Sequence, residues 1–157
     1  MNKMLAALAV LGVLIGGPSV ADEKDTGANA RSALMGAVGI GVADLHASTE
    51  FYADVLDMEV LRTYELGYIN EVVLGFPGGE GAVLVLMNWP GDQTRRYDGG
   101  NVKLVFYTED AAGVIERIRA RGGKIDRQPA PMEVVDGAVV ALARDPDGYV
   151  VELLERR

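Results

Sequence analysis

One run of periodicities occurs twice in this chain, about 66 residues apart, and this repeat restricts the fold more than any other feature. In the first half, residues 37–42 form a glycine-containing strand. Leu45, Ser48, Phe51, Tyr52, Val55 and Leu56 then share one face of a helix over about 45–56, with Asp44 as its N-cap. Strand-like runs follow at 59–65, 68–76 and 82–87, parted by Gly67 and by the turn Pro77-Gly78-Gly79-Glu80-Gly81. After a polar loop over 88–100 the order restarts. A strand at 102–108, a helix over about 110–121, a stop at Gly122-Gly123 and strands near 124–128, 138–144 and 149–155 complete it. The offset sets Asp44 on Asp110, Leu45 on Ala111, Ser48 on Val114 and Tyr52 on Ile118. The pattern predicts an α+β fold of two βαβββ modules, at about 36–88 and 101–156.

Ahead of the repeat, Lys3 precedes the apolar stretch from Met4 to Ile15, and Ser19-Val20-Ala21 supplies the small side chains of a cleavage site. The stretch is shorter than the roughly 20 residues that cross a bilayer as a helix. It predicts a signal peptide over 1–21 cleaved after Ala21, with an uncleaved anchor as the alternative. The mature protein is then exported, periplasmic or secreted, and not embedded in the membrane. Residues 22–33 are small, polar or charged and read as a flexible leader before a single domain at 34–157. The chain has no cysteine, so disulfides, thiolate nucleophiles and lipid attachment are excluded and the core must hold the domain; 49% apolar residues make that feasible. A net charge of −8 opposes phosphate backbones, and no Lys/Arg cluster interleaves with aromatics, which predicts no nucleic-acid partner.

Two stretches carry a resemblance. Val42-Ala43-Asp44-Leu45, Ser48, Phe51-Tyr52, Val55-Leu56, Met58 and Leu61-Arg62-Thr63 resemble the opening of glyoxalase I. Gly122-Gly123, Asp145-Pro146-Asp147-Gly148-Tyr149 and Glu152-Leu153 resemble the closing signature of the vicinal oxygen chelate superfamily. The resemblance spans about 36–155 and implies two βαβββ modules curled into a cupped, mostly antiparallel sheet. It also implies a divalent metal on four side chains, two per module, and for chains of this length a homodimer that shares the cup. Carried over residue by residue, the metal positions fall on Ala37, Leu84, Lys103 and Glu152, of which only Glu152 has a metal-binding side chain. Leu86-Met87-Asn88-Trp89 is similar to the glyoxalase I segment ending in Asn-Trp, whose Asn helps hold the glutamyl group of glutathione; here Pro90 replaces the family's Gly.

Read as chemistry, one carboxylate is too few for a catalytic metal, which generally takes about three protein ligands and an open position. The expectation is therefore no metal ligand set and no cofactor. Alternation places Glu152 between Val150 and Leu154 on one strand face, and Lys103 likewise stands inside an apolar strand, so each needs a partner or a ligand. We expect the Lys103 ammonium to pair with Glu152 where the family's cation would sit; a structural ion pair, or a lysine reaching out to water, is the plainer alternative. Asn88, Trp89, Leu84 and Ala37 complete the expected ligand-binding set. Trp89 reads as a hydrophobic plug, or as an aromatic wall with Tyr64, Tyr68 or Tyr107. His46, the one histidine, reads as a solvated helix residue, and Arg95 and Arg96 as solvated loop cations open to an anion. No Gly-x-Ser-x-Gly elbow, P-loop or Ser/His/Asp set is present.

Three readings follow. The first and favoured is an exported, metal-free protein that binds a small organic molecule in its cup. The second is a glyoxalase I-type lyase or related isomerase with Glu152 as catalytic base, its charged intermediate partly stabilised by Lys103. The third is an interaction module paired edge to edge as a homodimer.

Overall fold

The computed structural model describes residues 35–79 and 81–155; the expected signal peptide and leader lie outside the described residues. The elements are β1 (Ala37–Gly41), α1 (Leu45–Leu56), β2 (Glu59–Glu65), β3 (Asn70–Gly75), β4 (Val83–Asn88), β5 (Lys103–Thr108), α2 (Ala111–Ala120), β6 (Ile125–Met132), β7 (Ala138–Arg144) and β8 (Val150–Glu155). They build two four-stranded sheets of one design, ordered β1-β4-β3-β2 and β5-β8-β7-β6. In each, the first and last strands of the module run parallel and the other pairs antiparallel. The repeat read from periodicity is thus a repeat of topology.

Local chemistry sets the helix ends. The Asp44 carboxylate accepts hydrogen bonds from the His46 and Ala47 amides, and α1 stops where Asp57 turns left-handed at φ 56°. Asp110 caps α2 through the Gly113 amide. Each helix covers one face of its sheet. Alternation sends Val72, Leu74, Leu84, Leu86, Ala141, Ala143, Val151 and Leu153 toward Tyr52, Val55, Val114, Ile115 and Ile118 in one core cluster. Fully burying a Leu, Ile or Val side chain contributes roughly 1.5–3 kcal/mol, so this layer supplies much of the stability.

Two elements depart from expectation. Tyr68 and Ile69 belong to the turn before β3, with Ile69 buried as the turn's anchor. Strand β6 does not stop at Gln128 but runs through Pro129 and Pro131 to Met132. It is the outermost strand of its sheet, where a missing N–H leaves no ladder bond unmade.

The modules are tied together by the turn between β7 and β8. Asp147 accepts from the Ala43 amide at 2.9 Å and from the Ser48 hydroxyl at 3.2 Å. The Tyr149 hydroxyl donates to the Gly41 carbonyl at 3.0 Å. Asp145, only 5% exposed, accepts from the Tyr52 hydroxyl at 2.7 Å and from the amides of Asp147 and Tyr149. On the helix side, Arg117 of α2 donates to the Val55 carbonyl near the end of α1. Burial pushes the Asp145 carboxyl above its ordinary value, against the opposing pull of the Tyr52 hydrogen bond. Burial, followed by the Asp145 charge, raises Tyr52.

Replacing Tyr52 by Phe strips a buried carboxylate of one donor and is expected to cost about 1–3 kcal/mol in denaturant unfolding at neutral pH. Because folded Asp145 holds its proton more tightly than the unfolded chain does, its contribution to stability falls as pH rises from the ordinary 3.8 through the raised value. Asp145→Asn should lack that component, so the stability difference between the two proteins will change over that window and be flat above it.

Candidate functional site

With one helix per module, the core takes one face of each sheet and leaves the other open. Pairing registers identify the open face. On the second sheet, Val105, Glu152, Leu142 and Arg127 lie in one row across β5, β8, β7 and β6. On the first, the corresponding row is Gly39, Val85, Val73 and Arg62 across β1, β4, β3 and β2. Directly paired residues share a face, and both rows alternate with the core residues.

Glu152 lies at the middle of the second sheet's open face, its side chain 15% exposed. Lys103 pairs with Val150, one step along the same face, so its side chain reaches diagonally and sets Nζ 2.7 Å from Glu152 Oε2. About half of the Lys103 side chain is exposed. The expected contact between Lys103 and Glu152 is therefore an ion pair, open to solvent on the lysine side.

The first module's half of the open face is apolar. Ala37 is exposed at the start of β1, and the next two positions on that face are glycines. A methyl group on Gly39 would fall 2.9 Å from the Met87 methyl, and one on Gly41 would meet the Tyr97 ring at 3.3 Å and Trp89 at 3.4 Å. These glycines let Met87, Trp89 and Tyr97 close over β1. Trp89 thus sits as a half-buried plug beside Tyr97, whose hydroxyl accepts from the Trp89 amide at 3.2 Å. The Arg95 guanidinium stacks 3.9 Å above its ring and also faces Asp92.

Asn88 donates to the Val42 and Ala43 carbonyls at 2.9 and 3.1 Å, so its amide nitrogen braces the turn from β1 into α1. It borders a recess of about 260 Å³ with Ala43, Trp89, Arg95 and Tyr97. His46 is 82% exposed on the first turn of α1, facing Glu50, as expected of a solvated helix residue.

One expected position is corrected. Leu84 is 4% exposed and packs in the helix-side core, so it cannot line the open face; the place opposite β1 that matches Glu152 belongs to Val85. A one-residue error of register moves a strand side chain to the other face. Two residues of the open face were not among the expected site residues: Arg62, quoted only within a family motif, and Arg127. Each follows an irregularity in pairing, between Val60 and Arg62 and between Ile125 and Arg127, that turns it onto the open face.

A family model described as the Glyoxalase/Bleomycin resistance protein/Dioxygenase superfamily matches residues 34–153. A "Probable lactoylglutathione lyase" of Synechocystis is 39% identical over 123 residues, covering 74% of this chain and 90% of that protein. The lactoylglutathione lyase of Salmonella typhimurium is 37% identical over 122 residues, covering 74% and 87%. Among solved structures, glyoxalase I from Zea mays superposes with a TM-score of 0.65 at 30% identity, over 75% of this chain; the chain spans only 43% of that longer protein.

These relatives overturn the favoured expectation of a metal-free binding protein and support the second reading, a lyase of the glyoxalase I type. The expectation of no cofactor is corrected with it, because the resemblance ties glyoxalase I to a divalent metal in the cup. The side chains present do not fit that ion as a four-ligand set: Ala37, Val85 and Lys103 offer it no anionic donor, and Glu152 is held by Lys103. Among the described residues no group of three or more His, Cys, Asp or Glu could hold a metal ion.

Since the lysine end of the pair is half exposed, a double-mutant cycle of Lys103→Met and Glu152→Gln by thermal unfolding should give a coupling within about 1 kcal/mol. A coupling of several kcal/mol would mean that the pair is sealed from water.

Proposed function

We propose, on the premise that this chain belongs to the Glyoxalase/Bleomycin resistance protein/Dioxygenase superfamily, that it isomerises the hemithioacetal of an α-oxoaldehyde and a thiol, as a lactoylglutathione lyase-type enzyme. The observation that carries this reading is Glu152 on the open face with an ammonium 2.7 Å away. Relatives 37–39% identical are named for that activity.

The reaction needs one base and one site for negative charge. The Glu152 carboxylate takes the proton from the carbon that bears sulfur and hydroxyl, and the electron pair moves onto the adjacent carbonyl oxygen. The same carboxyl returns the proton to the adjacent carbon while the hydroxyl proton passes to the new oxyanion, giving a 2-hydroxy thioester with no net gain or loss of atoms. The Lys103 ammonium stabilises the intermediate's oxygen charge, the largest electrostatic demand of the path. The apolar half, Val85 and Met87, suits the carbon substituent of the aldehyde.

The reading includes a homodimer that completes the site. Leu61, Val105 and Tyr107 expose 42%, 44% and 66% of their surface, apolar area that a second copy would cover. It also includes export by residues 1–21. No helix among the described residues is long and apolar enough to cross a membrane.

Purified protein, assayed with and without added divalent metal, should convert the methylglyoxal–glutathione hemithioacetal to a thioester. Glu152→Gln should lower kcat/KM about 10²–10⁴-fold, and Lys103→Met about tenfold or more. A wild-type protein inert under both conditions would sink the reading. Sedimentation should return twice the protomer mass, and Tyr107→Glu should halve it.

A further inference from the structure

Lys103 opens β5, and the chain reaches it from the loop between the modules. Of the described residues in that loop, 89–102, Gly99 alone is buried. It lies flat against the turn that leads into β8. A methyl group on Gly99 would fall 2.5 Å from the Tyr149 amide nitrogen and closer still to the Gly148 carbonyl, and its backbone is left-handed at φ 69°. Both conditions demand glycine. The two segments cross here, and Lys103 lies four residues beyond Gly99 as Glu152 lies four beyond Gly148. The Val102 amide donates to the Gly99 carbonyl at 3.3 Å, closing a turn, and the Val150 amide donates to the Val102 carbonyl at 3.4 Å. The crossing thus passes straight into the first rung between β5 and β8.

The turn beneath Gly99 is held on several sides. The Arg144 guanidinium donates to the Gly148 carbonyl at 3.0 Å, the Asp145 carboxylate accepts from the Tyr149 amide at 2.8 Å, and the Tyr149 hydroxyl is bonded to the Gly41 carbonyl of the other module. On the loop side, Gly100, Asn101 and Val102 are exposed. A side chain at position 99 would therefore lift the loop and leave the turn in place. Lys103, at the end of its strand, moves with the loop, whereas Glu152 inside β8 stays. A contact of 2.7 Å lengthened by about 1 Å is no longer a hydrogen bond.

We infer that Gly99 is a positioning residue: its bare backbone lets the loop cross against Gly148 and so fixes the start of β5 where the Lys103 ammonium meets Glu152. This role rests on the reading of the pair as the reacting groups, and Gly99 itself touches no substrate.

Carbon-13 NMR of the Glu152 side-chain carboxyl, assigned as the signal missing from Glu152→Gln, reads the pair without turnover. The chemical-shift difference between wild type and Lys103→Met should shrink by about half or more when both carry Gly99→Ala. Gly100→Ala should keep it, because Gly100 is also left-handed, at φ 49°, but an added methyl there meets nothing within 4 Å. A glycine inserted after Gly100 puts slack between the crossing and Lys103 without any collision, so it should shrink the difference even if Gly99→Ala fails to fold. In turnover of the methylglyoxal–glutathione hemithioacetal, Gly99→Ala should lower kcat about tenfold or more with KM within about twofold. Adding Lys103→Met to it should then cost less than Lys103→Met costs the wild type. A shift difference that survives both Gly99→Ala and the insertion, one that Gly100→Ala removes equally, or none in the wild type would each overturn the inference, and wild-type turnover would then leave the isomerase reading standing. A difference lost as described in a protein that never turns over would uphold the positioning role and sink the isomerase reading alone.

Discussion

A four-stranded sheet has two faces, and each sheet here has one helix to cover them. That shortage organises the molecule. Period-two alternation must deliver every second residue to the helix, and the residues between are left on a surface that the module cannot bury by itself. The core therefore fills with Leu, Val, Ile and Ala from alternate positions, and Glu152, Lys103, Arg62 and Arg127 occupy the positions between. The candidate site sits where folding leaves surface unused.

Two such modules need a reason to stay in register with each other, and a polar junction provides one. Asp145, Asp147 and Tyr149 project from a single turn of the second module into the backbone and side chains at the head of α1 in the first. The bonds are specific in direction, which apolar packing of α1 on α2 is not. Their cost is a buried carboxylate, offset by three donors at its oxygens.

Most of the element order was legible because hydrophobic period is a property of neighbours in sequence. Asp44 and Asp110 were readable as caps for the same reason. Ala37, Lys103 and Glu152 lie on the open face, where alternation along β1, β5 and β8 puts them. Leu84 does not, because a position counted along a short strand is fixed only to within a residue, and one residue reverses the face. Arg62 and Arg127 were not picked out as open-face residues for a related reason: each is turned by an irregularity in strand pairing, which depends on the partner strand. Prolines at 129 and 131 suggested an early end to β6, and only the position of that strand at the border of its sheet makes them compatible with it. The protein's chemistry was harder to read than its shape, since ligand substitutions pointed to a passive binder while relatives of similar sequence are lyases.

The same pair of prolines has a bearing on how molecules of this protein meet. A border strand is normally an invitation to any passing extended chain, because its outward amides seek carbonyls. Along β6 two of those amides do not exist, so that border resists extension by another strand. The opposite border, β5, keeps its full complement of donors. A strand arriving from outside would therefore find a complete ladder at only one border of that sheet.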